Sequence, residues 1–303
     1  MHYKLPFGLV WLLLSAGLAQ GSGLGSGPGS GQVSEQMQEA SKDLAVTSGC
    51  IRESQPPEKS IPLPSTAHYA PPMSIDGDKA GAFTLLGLIA DHLPGPDLRK
   101  KKERAIKHFL EDQPVSALSP SSQKVDRYGR RAAFVTNGSG KAPSLLQDLL
   151  IQQGLARVSL DGLDEACARH LLEQEQQARE KQLGLWKLPE YTVKNVNSLH
   201  LSAIVSTYQI VSGTVLSVHR RVDGTSYLNF GEHWNKDFTV SLSKADLKSW
   251  EDGGKILDDL RNKPIYVRGW VELRGGPLIR VTNALQLQDR TENALSGPVP
   301  RQE

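Results

Sequence analysis

Three strand-like runs, a helical insert and a glycine-linked pair of strands follow one another between residues 200 and 288, an order that few folds accept. The strand runs are "AIVSTYQIVSGTVLSVHRR", "TSYLNFG" and "DFTVSLS", followed by the mostly helical "KADLKSWEDGGKILDDLR" and by "PIYVRGWVELRGGPLIRVT", which folds back at "RGG". A β-β-β-α-β-β order is that of a five-stranded oligonucleotide-binding (OB) barrel. A small barrel of that type is therefore expected over residues 198–290, ahead of a disordered tail at 291–303.

The chain ahead of this segment is long enough for a second core. With 303 residues, 38% of them hydrophobic and 22% charged, one to two domains are expected. The net charge of +2 requires no nucleic-acid partner, so a basic patch has to be found locally. The opening "MHYKLPFGLVWLLLSAGLAQ" has a short basic start, an apolar run from Leu5 to Leu14 and small residues ending at Ala19, which predict a secretory signal over residues 1–19. That run is shorter than the roughly 20 apolar residues of a spanning helix, which disfavours an uncleaved anchor. No later segment is apolar enough to span, so the expectation is a soluble mature protein, periplasmic or secreted. "GSGLGSGPGSGQ" then reads as a flexible tether, and the polar, proline-dotted text up to residue 65 extends it into a linker over 20–65.

From residue 66 the pattern changes. "GAFTLLGLIA" is a short apolar run of strand length, after the turn text "IDGDKAG". "DLRKKKERAIKHFLED" puts Leu98, Ala105, Ile106, Phe109 and Leu110 at helical spacing, leaving a basic face of Arg99, Lys100, Lys101, Lys102, Arg104 and Lys107. "PVSAL" and "RAAFVT" predict two strands joined by "SPSSQKVDRYGR". "SLLQDLLIQQGLARV" predicts a helix stopped at Gly154 and then a return strand. "DEACARHLLEQEQQAREKQLGLW" predicts a long charged helix closed by Gly184, with Leu185 and Trp186 free to dock on a core.

In sequence and mutual spacing, "DRYGRRAAFV", "LLQDLLIQQGLARV" and "EQQAREKQLGLW" resemble the staphylococcal nuclease, or thermonuclease, family over roughly residues 70–188, which implies a thermonuclease-like domain at 66–190. The resemblance implies an α+β, mainly β architecture: a five-stranded OB-type barrel with packed helices, followed here by the second small barrel. "SYLNFGEHWNKDFTVSLS" and "VRGWVELRGGPLIRV" likewise resemble the accessory barrel that follows such domains in some bacterial secreted proteins. The family also implies calcium-dependent phosphodiester hydrolysis, in which carboxylates hold the metal, a Glu positions water and two arginines stabilise the phosphate.

Carried over position by position, Arg130 falls on one of the two phosphate-binding arginines, and Tyr128 falls where a ring lies beside the nucleotide. At the remaining positions Thr84 stands where the other arginine belongs, Ile89 where an Asp belongs and His92 where the Glu belongs. Asp76, Asp78 and Asp91 are weak metal candidates, since "IDGD" lies too close to Thr84 and reads better as a hairpin turn.

The other charged and aromatic residues have bland readings beside functional ones. Arg127 and Arg131 join Arg130 and Tyr128 as phosphate-binding candidates, or coat a hairpin edge. From Asp97 to Arg131 there are ten basic and five acidic residues, a local excess that favours a polyanion. Tyr227, Phe230 and Trp234 either stack bases or fill the second core, the latter being the commoner use. Cys50 and Cys167 leave open a bridge and two unrelated buried thiols. The resulting expectation is an exported thermonuclease-like protein with an incomplete catalytic site, binding nucleic acid or another phosphorylated or acidic partner. The alternatives are an active calcium-dependent nuclease with a rearranged metal site, and a cell-envelope interaction scaffold.

Overall fold

The structure, a computed structural model, describes residues 49–51, 59–89, 93–112, 114–120, 125–138, 143–197, 201–233 and 235–290. All of these belong to one unit, Ala45–Glu303. The signal-like run, the glycine-serine tract, Asp91, His92, Trp234 and the C-terminal tail fall outside the described residues.

Seven strands form the first sheet: β1 (Lys59–Leu63), β2 (His68–Ala70), β3 (Ser74–Asp76), β4 (Ala82–Leu85), β5 (Val115–Ser119), β6 (Arg131–Asn137) and the short β7 (Ser144–Leu145). Burial alternates with period two along β4 and β5, which puts Phe83, Leu85, Val115 and Ala117 in the core. The path runs β1-β5-β6-β4-β3-β2, with β4 and β6 parallel. Its two ends are consecutive in the chain, so the sheet curls back on itself in OB order. Ordered structure reaches back to β1, inside the segment read as linker, because Ile61 and Leu63 pair with β5 and close that edge.

Helix α1 (Pro96–Glu111) lies between β4 and β5 and buries Ile106, Phe109 and Leu110. One member of its expected basic face is not on that face. Lys102 is 2% exposed and donates from Nζ to the Pro72 carbonyl at 2.6 Å, tying the helix to the β2–β3 connection. Helix α2 (Leu146–Gln152) follows β7, and its buried Gln147 donates to the Ala133 carbonyl at 2.9 Å and to the Leu86 carbonyl at 3.3 Å. That side chain satisfies backbone groups on β6 and on the turn after β4. The return strand expected after Gly154 is reduced to a single bridge between Leu88 and Val158. Helix α3 (Glu165–Glu180) starts at Asp164, whose side chain accepts from the Cys167 N–H, and Cys167 forms a disulfide with Cys50. Of the two open readings of these cysteines, the bridge is the one found.

The second sheet contains β8 (Lys194–Asn195), β9 (Tyr208–Thr214), β10 (Ser217–Arg220), β11 (Ser226–Asn229), β12 (Thr239–Leu242), β13 (Pro264–Arg274), β14 (Gly276–Val281) and β15 (Leu287–Asp289). Between β12 and β13 sits α4 (Lys244–Asp252), begun by a Ser243/Asp246 capping box. The path runs β10-β11-β12-β14-β13-β9-β8 with β12 and β14 parallel; its first six strands, β10 to β9, again have consecutive strands at their two ends, and β8 adds on parallel to β9. Both halves of the chain therefore repeat one order around separate cores. Phe230 and Phe238 meet edge to face at 5.2 Å inside the second core, which removes Phe230 from the base-stacking candidates.

The halves meet over buried charge. Glu175 on α3 contacts Arg268 on β13 at 2.7 Å and accepts from the Val158 N–H at 2.8 Å. Tyr208 donates its hydroxyl to the Val158 carbonyl, and Arg157 donates to the Tyr208 carbonyl at 2.6 Å.

Candidate functional site

The turn before β6 begins with Asp126. Its Oδ1 accepts from the N–H groups of Tyr128 and Arg130, at 2.8 and 2.9 Å, so the carboxylate folds the turn around itself. Gly129 completes it at φ 75°, a conformation that suits glycine. The other carboxylate oxygen, Oδ2, accepts from Arg130 Nε at 2.8 Å and lies 2.8 Å from Nη2. This paired, charge-assisted contact fixes the plane of the guanidinium. Arg130 Nη1 then donates to Ser74 Oγ on β3 at 3.0 Å, which aims the guanidinium over the β3–β4 pair. Desolvation opposes ionisation of Asp126, but the hydrogen bonds from Arg130 and Tyr128 outweigh it and hold the carboxyl below the usual carboxylate range.

Tyr128 is 65% exposed, with the Arg130 guanidinium 5.0 Å and the Arg127 guanidinium 4.8 Å from its ring centre. The ring is thus bracketed by two cations while remaining open to solvent. Arg131 points outward at the first position of β6, paired in register with Phe83. Of the four candidates in this turn, Tyr128, Arg127 and Arg130 come together and Arg131 stands apart.

Thr84 is the register partner of Ser74 across the β3–β4 pair and of Ala132 across β4–β6, so it lies on the strands the Arg130 guanidinium faces. Ile89 is 5% exposed and donates its N–H to the Arg157 carbonyl, which makes it a core residue rather than a ligand. Asp76 and Asp78 close the β3–β4 hairpin, with the Asp78 N–H donating to Asp76 Oδ1 at 2.9 Å. Among the described residues no three His, Cys, Asp or Glu side chains converge as a metal site would need. A calcium site takes six to eight oxygen ligands with carboxylates among them. Among the described residues, a hydroxyl at Thr84, a buried isoleucine and a carboxylate occupied by its own turn do not make such a set.

Sequence reasoning missed Asp126 and Ser74. The i,i+4 spacing of Asp126 and Arg130 in "DRYGR" was a usable signal for the first. Nothing in the text pointed to Ser74, 56 positions away.

The curled sheet with its packed helices and a buttressed arginine at the strand-entry turn defines an OB-type barrel with one cationic anchor. Residues 100–188 match the family model of staphylococcal nuclease homologues, so the chain carries a domain of that family. No curated protein matches the chain. No described helix is long and apolar enough to cross a membrane.

Proposed function

We propose that this chain is an exported thermonuclease-like protein that binds nucleic acid, or another phosphorylated or acidic partner, through Arg130 without hydrolysing it. The observation that carries the reading is the geometry around Arg130: a guanidinium aimed by Asp126 and Ser74 across strands where a hydroxyl, Thr84, stands in place of a second arginine. One such cation holds a phosphate oxygen, and phosphate contacts position a nucleic acid without cleaving it. Phosphodiester cleavage by the family's chemistry also needs a carboxylate-held cation, and the donor set among the described residues does not fit one. The exposed Lys100, Lys101, Arg104 and Lys107 of α1 add a local field that draws polyanions. Export is supported by the Cys50–Cys167 disulfide, since such bonds persist mainly in oxidising compartments, and by the signal-like residues 1–19.

The test is hydrolysis and binding of single-stranded DNA and RNA by the purified protein, with calcium or with chelator, beside Arg130→Ala. The expected result is no calcium-dependent cleavage and a salt-dependent binding that Arg130→Ala weakens. Calcium-dependent cleavage abolished by the mutation would establish an active nuclease instead. Binding indifferent to the mutation would leave the fold as an interaction scaffold.

A further inference from the structure

The outer face of the second sheet carries one stripe of side chains that crosses five strands. Register pairs His219 on β10 with Tyr227 on β11, Tyr227 with Ser241 on β12, and Ser241 with Arg280 on β14. One step beyond the paired Val271 and Ile279, Trp270 on β13 lies opposite Arg280. The neighbouring row, Val218, Leu228, Val240, Ile279 and Val271, packs in or against the second core, so alternation turns His219, Tyr227, Arg280 and Trp270 outward, while Ser241 between them is buried at 8% exposure. Trp270 is 54% exposed, a large apolar surface left in water. Its ring is held by the edge of Tyr208, at 5.9 Å and 79°, and Tyr208 is itself buried and bonded to the Val158 carbonyl. The indole is therefore a rigid platform rather than a loose surface group.

Charge on this face is one-sided. Arg268 is buried against Glu175 and Arg220 pairs with Asp258 at 2.6 Å, so the charges this face of strands β9 to β14 presents are Arg274 and Arg280 against Glu272. Glu272 is shared between Arg274 at 3.4 Å and Arg280 at 3.7 Å, which leaves one net positive charge in mid-stripe. On one side the stripe is flanked on β10, β11 and β12 by the neutral Ser217, Asn229 and Thr239, of which Thr239 is buried and Asn229 donates to Ser217 Oγ at 3.1 Å.

We propose that this stripe binds single-stranded nucleic acid, with Trp270 and Tyr227 stacking on bases and Arg280 holding the phosphate between them. An exposed indole can stack only on a base whose face is free, which selects single strands over duplex. The cation beside it selects a polyanion over an uncharged chain of sugars, the other ligand that flat aromatic rings accept. The stripe is separate from the Arg130 turn and extends the surface available to one strand onto the second barrel.

The experiment is fluorescence anisotropy with labelled oligo-dT, the corresponding duplex and a neutral glucan as competitor. It is run on the full chain in chelator, with Trp270→Ala, Tyr227→Ala, Arg280→Gln and Arg130→Ala in parallel. Trp270→Ala is expected to weaken single-strand binding about tenfold, and Arg280→Gln to lower the salt slope by about one. Because Arg280 is exposed, its substitution reads the site even if loss of the indole disturbs the fold. Loss with Arg130→Ala but not with Trp270→Ala or Arg280→Gln would overturn this proposal and leave the Arg130 reading intact. The reverse pattern would sink the Arg130 reading alone. Displacement of the oligonucleotide by the glucan would reassign the stripe to carbohydrate and overturn the proposal as well.

Discussion

Glu175 on α3 and Arg268 on β13 form an ion pair 2.7 Å long whose side chains are 1% and 3% exposed, and it joins the nuclease-homologue half to the second barrel. Almost no water reaches the two charges, so each depends on the other for its compensation. Glu175 and Tyr208 offset the desolvation of Arg268 and raise its pKa above that of an ordinary guanidinium. Removing one partner strands the other. Glu175→Gln is expected to destabilise the chain by about 3–5 kcal/mol, while Glu175→Met with Arg268→Met should fall much closer to wild type. Urea unfolding midpoints read both, and equal losses would argue against charge as the source.

The two glycines at the helix ends touch each other. A Cβ on Gly154 would come within 2.2 Å of the Leu183 carbonyl oxygen, one on Gly184 would meet the Gly154 oxygen at the same distance, and both have positive φ. The Leu185 N–H donates to the Gly154 carbonyl across this contact at 2.9 Å. Either glycine changed to alanine combines backbone strain with an overlap that no rotamer relieves. The expected loss is about 2–4 kcal/mol, visible as a drop in Tm of roughly 5–15 °C.

His170 faces Asp148 at 2.9 Å, half buried between α2 and α3. The hydrogen bond His170 donates to the Asp148 carboxylate outweighs desolvation and, with the charges of Asp148 and Glu173, raises the imidazole pKa above 6.5. A raised folded-state pKa means that the protonated form stabilises the fold. That contribution is fully present below about pH 6.5 and is lost as pH rises through the raised value. Tm measured across this range should fall with pH in the wild type and flatten in Asp148→Asn. An unchanged slope in the variant would refute the assignment.

The disulfide ties residue 50 to α3 across 117 positions of sequence. Opening it restores that freedom to the unfolded chain. Reduction, or Cys50→Ala with Cys167→Ala, is expected to lower stability by about 2–5 kcal/mol without altering the strand order. Denaturant titration with and without reductant measures it.

Asp126 has no direct role in gripping a ligand, yet it sets the plane of the Arg130 guanidinium. Asp126→Ala should weaken oligonucleotide binding nearly as much as Arg130→Ala, about tenfold, with little change in Tm. Binding left at the wild-type level would mean that Ser74 alone positions Arg130.

Much of this protein was settled by local pattern. The amphipathic spacing of Ile106, Phe109 and Leu110, the strand alternation of β5 and the turn chemistry around Gly129 act over a few residues, and each is readable because its physics is local. The order of elements between residues 200 and 288 pointed to an OB-type barrel, while in the first half that fold was what the family resemblance implied. What stayed hidden depends on groups distant in sequence. Lys102 stood in a run of surface cations until the Pro72 carbonyl claimed it, and Glu175 looked like one more charge on a polar helix until Arg268 arrived from the other barrel. The sequence named Arg130, but only the tertiary structure brought Ser74 and Thr84 beneath it and aligned Trp270, Arg280, Ser241, Tyr227 and His219 in one row. Sheet register and inter-barrel packing decide such neighbours, because both depend on contacts between segments whose separation along the chain leaves no local trace.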